Sequence, residues 1–386
     1  MKIAYVLDDL DAAGGIQAVT RAKAAALAAI PGNEIMLVTA NDSRRTASSL
    51  SPGVKVVHLG VNYYEDDWKG FLYVLKGILV RRRRHAKALR KALDELRPDI
   101  VVSVGQSEKF MIPRLSRGKP WKTVREFHYS GTYRKDYARL QGGIRARVMA
   151  ALSDFYEFGL RRGTYDATVV LTRQDREENW KGRRGVHVIP NACVWRPERV
   201  ASLDRPTAVA VGRLVPVKGF GLLVRAWEKV ASVHPDWKLE IWGDGPERGS
   251  LERLVREKGL EKNVLLRGAT GEVQEKLLQS SMLVFPSLFE GFGMVLVEAM
   301  ACGVPCVAFE CPCGPRDVIS PEEDGLLVPP GDTDALARAI IRLMEQSELR
   351  SRMGEAARNK AARYAMDAVC AAWMDLFRQL NSSSSR

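Results

Sequence analysis

Thr207-Ala-Val-Ala-Val-Gly-Arg-Leu-Val-Pro-Val-Lys-Gly219 is a short β-branched run that ends on Gly212, continues into Arg213 and reaches Lys218 where the next helical stretch opens. A strand with cations just beyond its carboxyl end, beside a helix N-terminus, is how a doubly wound sheet presents positive charge to a diphosphate. Taken alone, Arg213 and Lys218 read first as two surface cations beside a turn. The decision therefore rests on what surrounds them.

Working outward, short β-branched runs alternate with helical stretches along the chain, the mark of an α/β doubly wound architecture. Strands are expected at 2–8, 34–40, 54–59, 99–104, 121–127, 166–171 and 186–189. A second set is expected at 207–212, 238–242, 263–267, 282–285, 304–309 and 325–328. Helices are expected at 16–30, 218–233, 248–258, 333–345 and 347–363. Two such sets in 386 residues predict two Rossmann-like domains. The polar, proline-punctuated stretch from Trp195 to Pro206 has no period and reads as their linker. This divides the chain into 1–193 and 194–365. The Ser382–Ser385 tail is low in complexity and reads as disordered.

The second chemical element is Glu290-Gly-Phe-Gly-Met-Val-Leu-Val-Glu298, which follows the strand at 282–285 and a proline. Gly291 and Gly293 leave the backbone bare at the start of a helix, where free N–H groups can meet phosphate or sugar hydroxyls. Helical side chains tilt toward the N-terminus, so Glu298 is expected to point back toward the same cleft. Two carboxylates there are acceptors for the hydroxyls of a sugar and a ribose. Capping or surface roles for either glutamate are the plain alternative.

In order and spacing, five tracts resemble the family 4 retaining glycosyltransferases of the GT-B fold. They are Ile189-Pro-Asn-Ala192, Gly212-Arg-Leu…Lys218-Gly219, Gly243-Asp-Gly-Pro246, Glu290…Glu298 and Asp324-Gly-Leu-Leu-Val-Pro-Pro-Gly331. The match is tight from about 165 to 345 and looser before that. The resemblance implies a GT-B fold in which the two domains face each other across a cleft. It implies that Arg213 and Lys218 bind the donor diphosphate, that Glu298 holds the ribose, and that Glu290 lies near the transferred sugar with the backbone of Gly291, Phe292 and Gly293 beside it. It also implies that the Gly14-Gly15 loop approaches donor and acceptor, and that His128 lies near the sugar's C6 region. The flanking Glu126-Phe-His-Tyr-Ser departs from the commonest His-Asp form. Gly243 reads first as a tight turn after a strand and second as a nucleotide contact. The last helix, about 366–381, is expected to cross back onto the first domain.

The implied activity is transfer of a hexose or N-acetylhexosamine from a nucleotide-sugar, a UDP-sugar by preference, to a saccharide or lipid-linked saccharide, with retention. No cofactor is expected, the nucleotide-sugar being a co-substrate, and no metal. Asp9-Leu-Asp11 has the Asp-x-Asp spacing of metal-dependent transferases, but it ends the first strand and leads into Gly14-Gly15, so a loop role is favoured. Cys311-Pro-Cys313 is too short for a zinc pair, and the six cysteines read as buried thiols of a reduced, cytoplasmic protein. The chain opens directly on a strand, with no leader pattern.

The net charge of +13 is uneven. Residues 1–195 carry 34 Lys and Arg against 20 Asp and Glu, whereas residues 196–386 carry 25 against 26. The excess peaks at Arg81–Arg84, just after the apolar segment 70–80, which is too short to span a bilayer. Two readings stand level: a partly buried helix with a solvated basic face, and a segment lying on an anionic membrane surface. The second would make the enzyme peripheral at the inner face of the cytoplasmic membrane. Nucleic acid is not expected as a partner, because no binding module or stacking pattern accompanies the charge. A GT-B sugar-nucleotide epimerase and a non-catalytic nucleotide-sugar binder are the remaining alternatives. The intact Arg213, Lys218, Glu290 and Glu298 weigh against the binder.

Overall fold

The computed structural model describes residues 1–10, 15–41, 53–61, 71–131 and 165–382, together with 144, 148, 151, 152 and 155; of residues 71–79 only the backbone is described. Gly14, Asp11 and the tail beyond Ser382 lie outside these residues, as does Gly70 at the head of the apolar segment.

The first half contains β1 (Lys2–Leu7), α1 (Gly15–Ala28), β2 (Glu34–Thr39), β3 (Val54–His58) and α2 (Phe71–Leu96). It continues through β4 (Ile100–Ser103), α3 (Ile112–Leu115), β5 (Lys122–Glu126), β6 (Ala167–Val170), α4 (Arg173–Asn179) and β7 (Val186–Val188). The second half contains β8 (Thr207–Val211), α5 (Phe220–Val233), β9 (Lys238–Trp242), α6 (Arg248–Glu257), β10 (Val264–Gly268) and α7 (Val273–Leu278). Next come β11 (Met282–Phe285), α8 (Met294–Ala301), β12 (Cys306–Phe309), α9 (Pro315–Val318), β13 (Gly325–Val328), α10 (Thr333–Glu345), α11 (Ser347–Ala361) and α12 (Met366–Ser382).

The strands form two separate parallel sheets, ordered β3-β2-β1-β4-β5-β6-β7 and β10-β9-β8-β11-β12-β13. Both have the doubly wound order, with a switch point between β1 and β4 and another between β8 and β11. Parallel strands covered by helices on both faces are buried along their whole length. Accordingly Met282–Phe285 and Cys306–Phe309 are buried at every position. The chain is thus α/β with two Rossmann-like sheets, the GT-B architecture. Strand positions agree with the sequence reading to within a residue or two.

The last helix leaves the second domain. Val369, Trp373, Leu376 and Phe377 of α12 pack into the first domain's core with Ile3, Tyr5 and Leu27, and the Trp373 ring meets Tyr5 edge-on at 6.5 Å. Near that crossing, the Cys193 N–H donates to the Tyr364 carbonyl at 2.8 Å. Among the described residues, no helix is long and apolar enough to cross a membrane.

α2 buries His85, Leu89, Ala92 and Leu93, while Arg82, Arg83, Arg84, Lys87, Arg90 and Lys91 are exposed. Burial pushes His85 down to about 4, with Asp8 opposing. The Arg-rich run is therefore the outer face of a helix seated on the sheet.

Candidate active site

The second sheet's switch point is stitched together by backbone. Met282 and Leu283 of β11 pair in register with Ala208 and Val209 of β8, which sets their exit loops side by side. The Leu288 N–H donates to the Val217 carbonyl at 2.9 Å. Gly219 sits in the left-handed region at φ 65, and a Cβ there would collide with the Pro286 carbonyl. The sequence reading starts the helix at Lys218. The structure instead places Pro216–Lys218 in a 3-10 turn and begins α5 at Phe220, because Gly219 breaks the helical path.

These contacts bring Lys218 to Glu290. The Lys218 Nζ donates to Glu290 Oε1 at 2.5 Å, with side-chain exposures of 23% and 11%, and the ammonium stands 5.6 Å from the Phe285 ring centroid. Arg213 is exposed, and its side chain has no hydrogen-bond or ion-pair partner among the described residues. Gly243, at φ 150, packs against the Gly212 carbonyl so closely that a side chain would displace it. Leu214 donates to the Asp244 carbonyl at 2.9 Å. The Gly243 turn thus shapes the Arg213 loop from behind.

Around Glu290 the backbone is also crowded. Gly293 caps α8 in the left-handed region at φ 86. A Cβ on Gly291 would strike the His128 carbonyl, so the two domains touch here through backbone. Phe292 does not present its ring to the cleft: it is buried against Tyr364, centroids 5.8 Å apart, so only its backbone is available to a ligand. Cys311 is buried beside Glu290 and Lys218, and burial pushes its thiol well up.

Glu298 lies further along α8, and among the described residues no hydrogen bond or ion pair joins its side chain to the Lys218–Glu290 pair. It is nearly buried, close to Cys193 and Cys302, and its carboxyl group has no hydrogen-bond partner among the described residues. Burial pushes its carboxyl up to about 7.

On the first-domain side His128 follows β5. Its imidazole is buried, with Nε2 at 3.2 Å from Glu126 Oε1. Glu126 forms a second, tighter pair with Lys23 of α1, and both side chains are buried. Burial pushes the Glu126 carboxyl up, but Lys23 and His128 outweigh it and hold the group at about 2. The Lys23 ammonium stands 4.2 Å from the Trp373 ring centroid and 5.2 Å from that of Tyr5. The first sheet's switch point carries Asp8, which accepts from the Gln106 and Ser107 N–H groups at 2.8 and 3.0 Å. Gln106 donates on to Tyr129 Oη at 3.0 Å. Gly15 opens α1 with free space around it, and Gly14 before it lies outside the described residues.

Sequence reasoning missed the bridge between the domains. Asp317 accepts from the Arg173 and Gln174 N–H groups at 2.9 and 3.2 Å, capping α4 from the other domain. The Cys313 N–H donates to Gln174 Oε1 at 3.0 Å. Thr172, which also caps α4, was the one local signal of a helix start there. The Cys311-Pro-Cys313 turn is thus part of a domain contact. Among the described residues no group of three or more His, Cys, Asp or Glu is arranged to hold a metal ion.

The profile for glycosyl transferases group 1 matches residues 194–360, and that for a glycosyl transferase 4-like domain matches residues 14–192. The chain belongs to the group 1 glycosyltransferases. It is 39% identical over 232 residues to an exopolysaccharide phosphotransferase of Streptomyces coelicolor, a match spanning 58% of this chain and 24% of that protein. It is 29% identical over 288 residues to a lipopolysaccharide 1,6-galactosyltransferase of Salmonella typhimurium, a match spanning 70% of this chain and 72% of that one. A mutant of S. aureus TarM in complex with fondaparinux, alpha-GlcNAc-glycerol and UDP superposes with a TM-score of 0.74 at 15% identity, over 97% of this chain and 99% of that one. At that identity the likeness concerns the fold.

Proposed function

We propose that this protein transfers a hexose or N-acetylhexosamine from a nucleotide-sugar, a UDP-sugar, to a saccharide or lipid-linked saccharide in cell-surface polysaccharide or glycolipid assembly. The observation that carries the reading is the Lys218–Glu290 pair beside the unpartnered Arg213, at the switch point of the second sheet and against the first domain. The polysaccharide and lipopolysaccharide enzymes among its relatives support the process, and UDP in the TarM complex supports the donor.

The chemistry follows from charge. As the bond from the sugar's C1 to the diphosphate oxygen breaks, negative charge grows on the phosphate. Lys218 turns from Glu290 to that oxygen, and Arg213 joins it, so cations of the chain itself face the leaving group without a metal. Glu290, released, accepts hydrogen bonds from the sugar hydroxyls. His128 contributes from the first domain, at the backbone contact with Gly291. The acceptor oxygen bonds to C1 on the face the phosphate leaves, which retains the anomeric configuration, and the departing phosphate takes the acceptor's proton. The acceptor approaches from the first domain, whose positive charge suits an anionic or membrane-held molecule and an anionic membrane surface as partner.

A thermal-shift series with UDP, GDP, ADP and CMP, each with and without EDTA, tests the donor site. UDP at about one hundred times its dissociation constant should stabilise by about 2.7 kcal/mol, insensitive to EDTA. A flat response to all four would remove the donor site.

Glu298 gives the reading a pH signature. Its folded value of about 7 is above its ordinary 4.5, so the folded chain binds the extra proton between them. Stability contributed by that carboxyl is present below about 4.5 and is lost as pH rises through about 7. Ribose hydroxyls donate to the ionised form, so nucleoside affinity should tighten as pH rises through that value. The trend should vanish in Glu298→Gln. An identical pH profile in the variant would detach Glu298 from the ribose.

A further inference from the structure

The seam between the domains closes into a ring of contacts that passes through the sugar site. Asp317 of α9 accepts from the first two N–H groups of α4, those of Arg173 and Gln174, while Thr172 accepts from the third, that of Asp175. The buried Asp175 carboxylate accepts in turn from the Gly131 N–H at 2.9 Å. Gly131 ends the segment that begins at His128, whose carbonyl abuts Gly291 next to Glu290. The ring returns through Gly314, where a side chain would strike the Phe292 carbonyl and its Cβ would lie 3.5 Å from that of Glu290. Three residues further on stands Asp317 again. The chain passes between the domains at the same place: Tyr364 accepts at its carbonyl from the Cys193 N–H and donates from its hydroxyl to the Asp317 carbonyl at 3.3 Å.

We propose that Asp317 is a positioning residue: it sets the angle between the two domains and so brings the His128 segment against Glu290 and the transferred sugar. α4 does not need Asp317 in order to form, because Thr172 caps it from its own domain and it packs against β6 and β7. The second cap, supplied from the other domain, therefore acts across the seam. A carboxylate bonded to two N–H groups at a helix N-terminus makes charge-assisted bonds and meets the positive end of the helix dipole. The Cys313 N–H, bonded to Gln174 Oε1 at 3.0 Å, adds a further tie from the same loop. Two chain crossings fix a pivot but leave rotation about it open, and these ties close that freedom. Arg213 and Lys218 both belong to the second domain, so the diphosphate half of a donor is indifferent to the angle. The sugar half, between Glu290 and the His128 segment, is not. The purpose of Asp317 thus rests on the donor site proposed above, whereas its hold on the domain angle does not.

The full chain is measured by small-angle scattering without ligand and titrated by calorimetry with UDP, UDP-glucose, UDP-galactose and UDP-N-acetylglucosamine. Asp317→Ala should widen the distance distribution of the free protein and leave its circular dichroism unchanged. Its affinity for UDP should stay within about twofold of wild type, while affinity for the nucleotide-sugar that wild type binds best should fall about tenfold, because only molecules with the domains in register hold the sugar. Asp317→Asn, which keeps one acceptor oxygen and loses the charge, should fall between the two. Gln174→Ala, on the other side of the seam, should give a smaller loss of the same kind. An unchanged scattering profile, or equal weakening of UDP and nucleotide-sugar, would overturn the positioning role and leave Asp317 as a cap of α4. Loss of circular dichroism in both Asp317 variants would overturn it as well. Binding of UDP by wild type with none of the three sugars would overturn the link to the sugar. Binding of none of the four by wild type, with the scattering of Asp317→Ala changed, would overturn the donor site and uphold the domain angle.

Discussion

Lys218→Ala should lower kcat by about a hundred- to a thousand-fold, the usual consequence of removing one preorganised group that meets charge only as it develops. In the free protein the ammonium is held by Glu290 at 2.5 Å, so its position is fixed before a donor arrives. It is spent on the ground state no more than on that one ion pair. The gain comes when the leaving phosphate, a stronger anion than a carboxylate, replaces Glu290. Two readouts separate this from simple loss of structure. Affinity for UDP should fall much more than affinity for uridine, since only the former brings a diphosphate. The melting point of the free protein should change little, because the pair is partly exposed and such pairs contribute modestly. Release of UDP from the donor at the wild-type rate in Lys218→Ala would place the chemistry elsewhere.

How far this site could be read from the sequence depends on the range of the interaction. The strands were legible because buried parallel strands are continuous apolar runs, such as Met282–Phe285. Gly243 was legible as a turn, and its tight approach to Gly212 is the reason glycine stands there. The residue types at 213, 218 and 290 pointed to phosphate and sugar, but the pairing of Lys218 with Glu290 spans 72 positions and needs the β8–β11 register to be known. Phe292 was expected beside the sugar through its backbone, and the structure turns its ring inward to Tyr364. Local pattern cannot tell a ring that faces a ligand from one that faces the core. The same limit hid Asp317, whose partners on α4 lie 144 and 143 residues away.

The interaction the sequence concealed most completely carries the other large prediction. Lys23→Met should destabilise the protein by about 3–5 kcal/mol, because it leaves the Glu126 carboxylate in the core with its main counter-charge gone. Glu126 is held at about 2 by Lys23 and His128 against burial, which pushes it up, so the cost of losing Lys23 falls on a group that has no route to water. His128 remains 3.2 Å away but is itself buried and cannot replace the ammonium. The added methionine bulk is not the issue, since the end of the Lys23 side chain already lies against the Tyr5 and Trp373 rings. Denaturant unfolding followed by circular dichroism, with midpoints compared for the same transition in this two-domain chain, measures the loss. Lys23→Met/Glu126→Gln should recover most of it, because the uncompensated charge is then gone. That recovery distinguishes a charge effect from damaged packing, which the second substitution would leave uncorrected. The double variant should still transfer poorly: Glu126 no longer fixes His128, whose carbonyl abuts Gly291 beside Glu290. Stability regained without activity would show that the buried pair positions the first domain's edge of the site. Full stability in Lys23→Met alone would mean that Glu126 is protonated in the core and that this coupling does not exist.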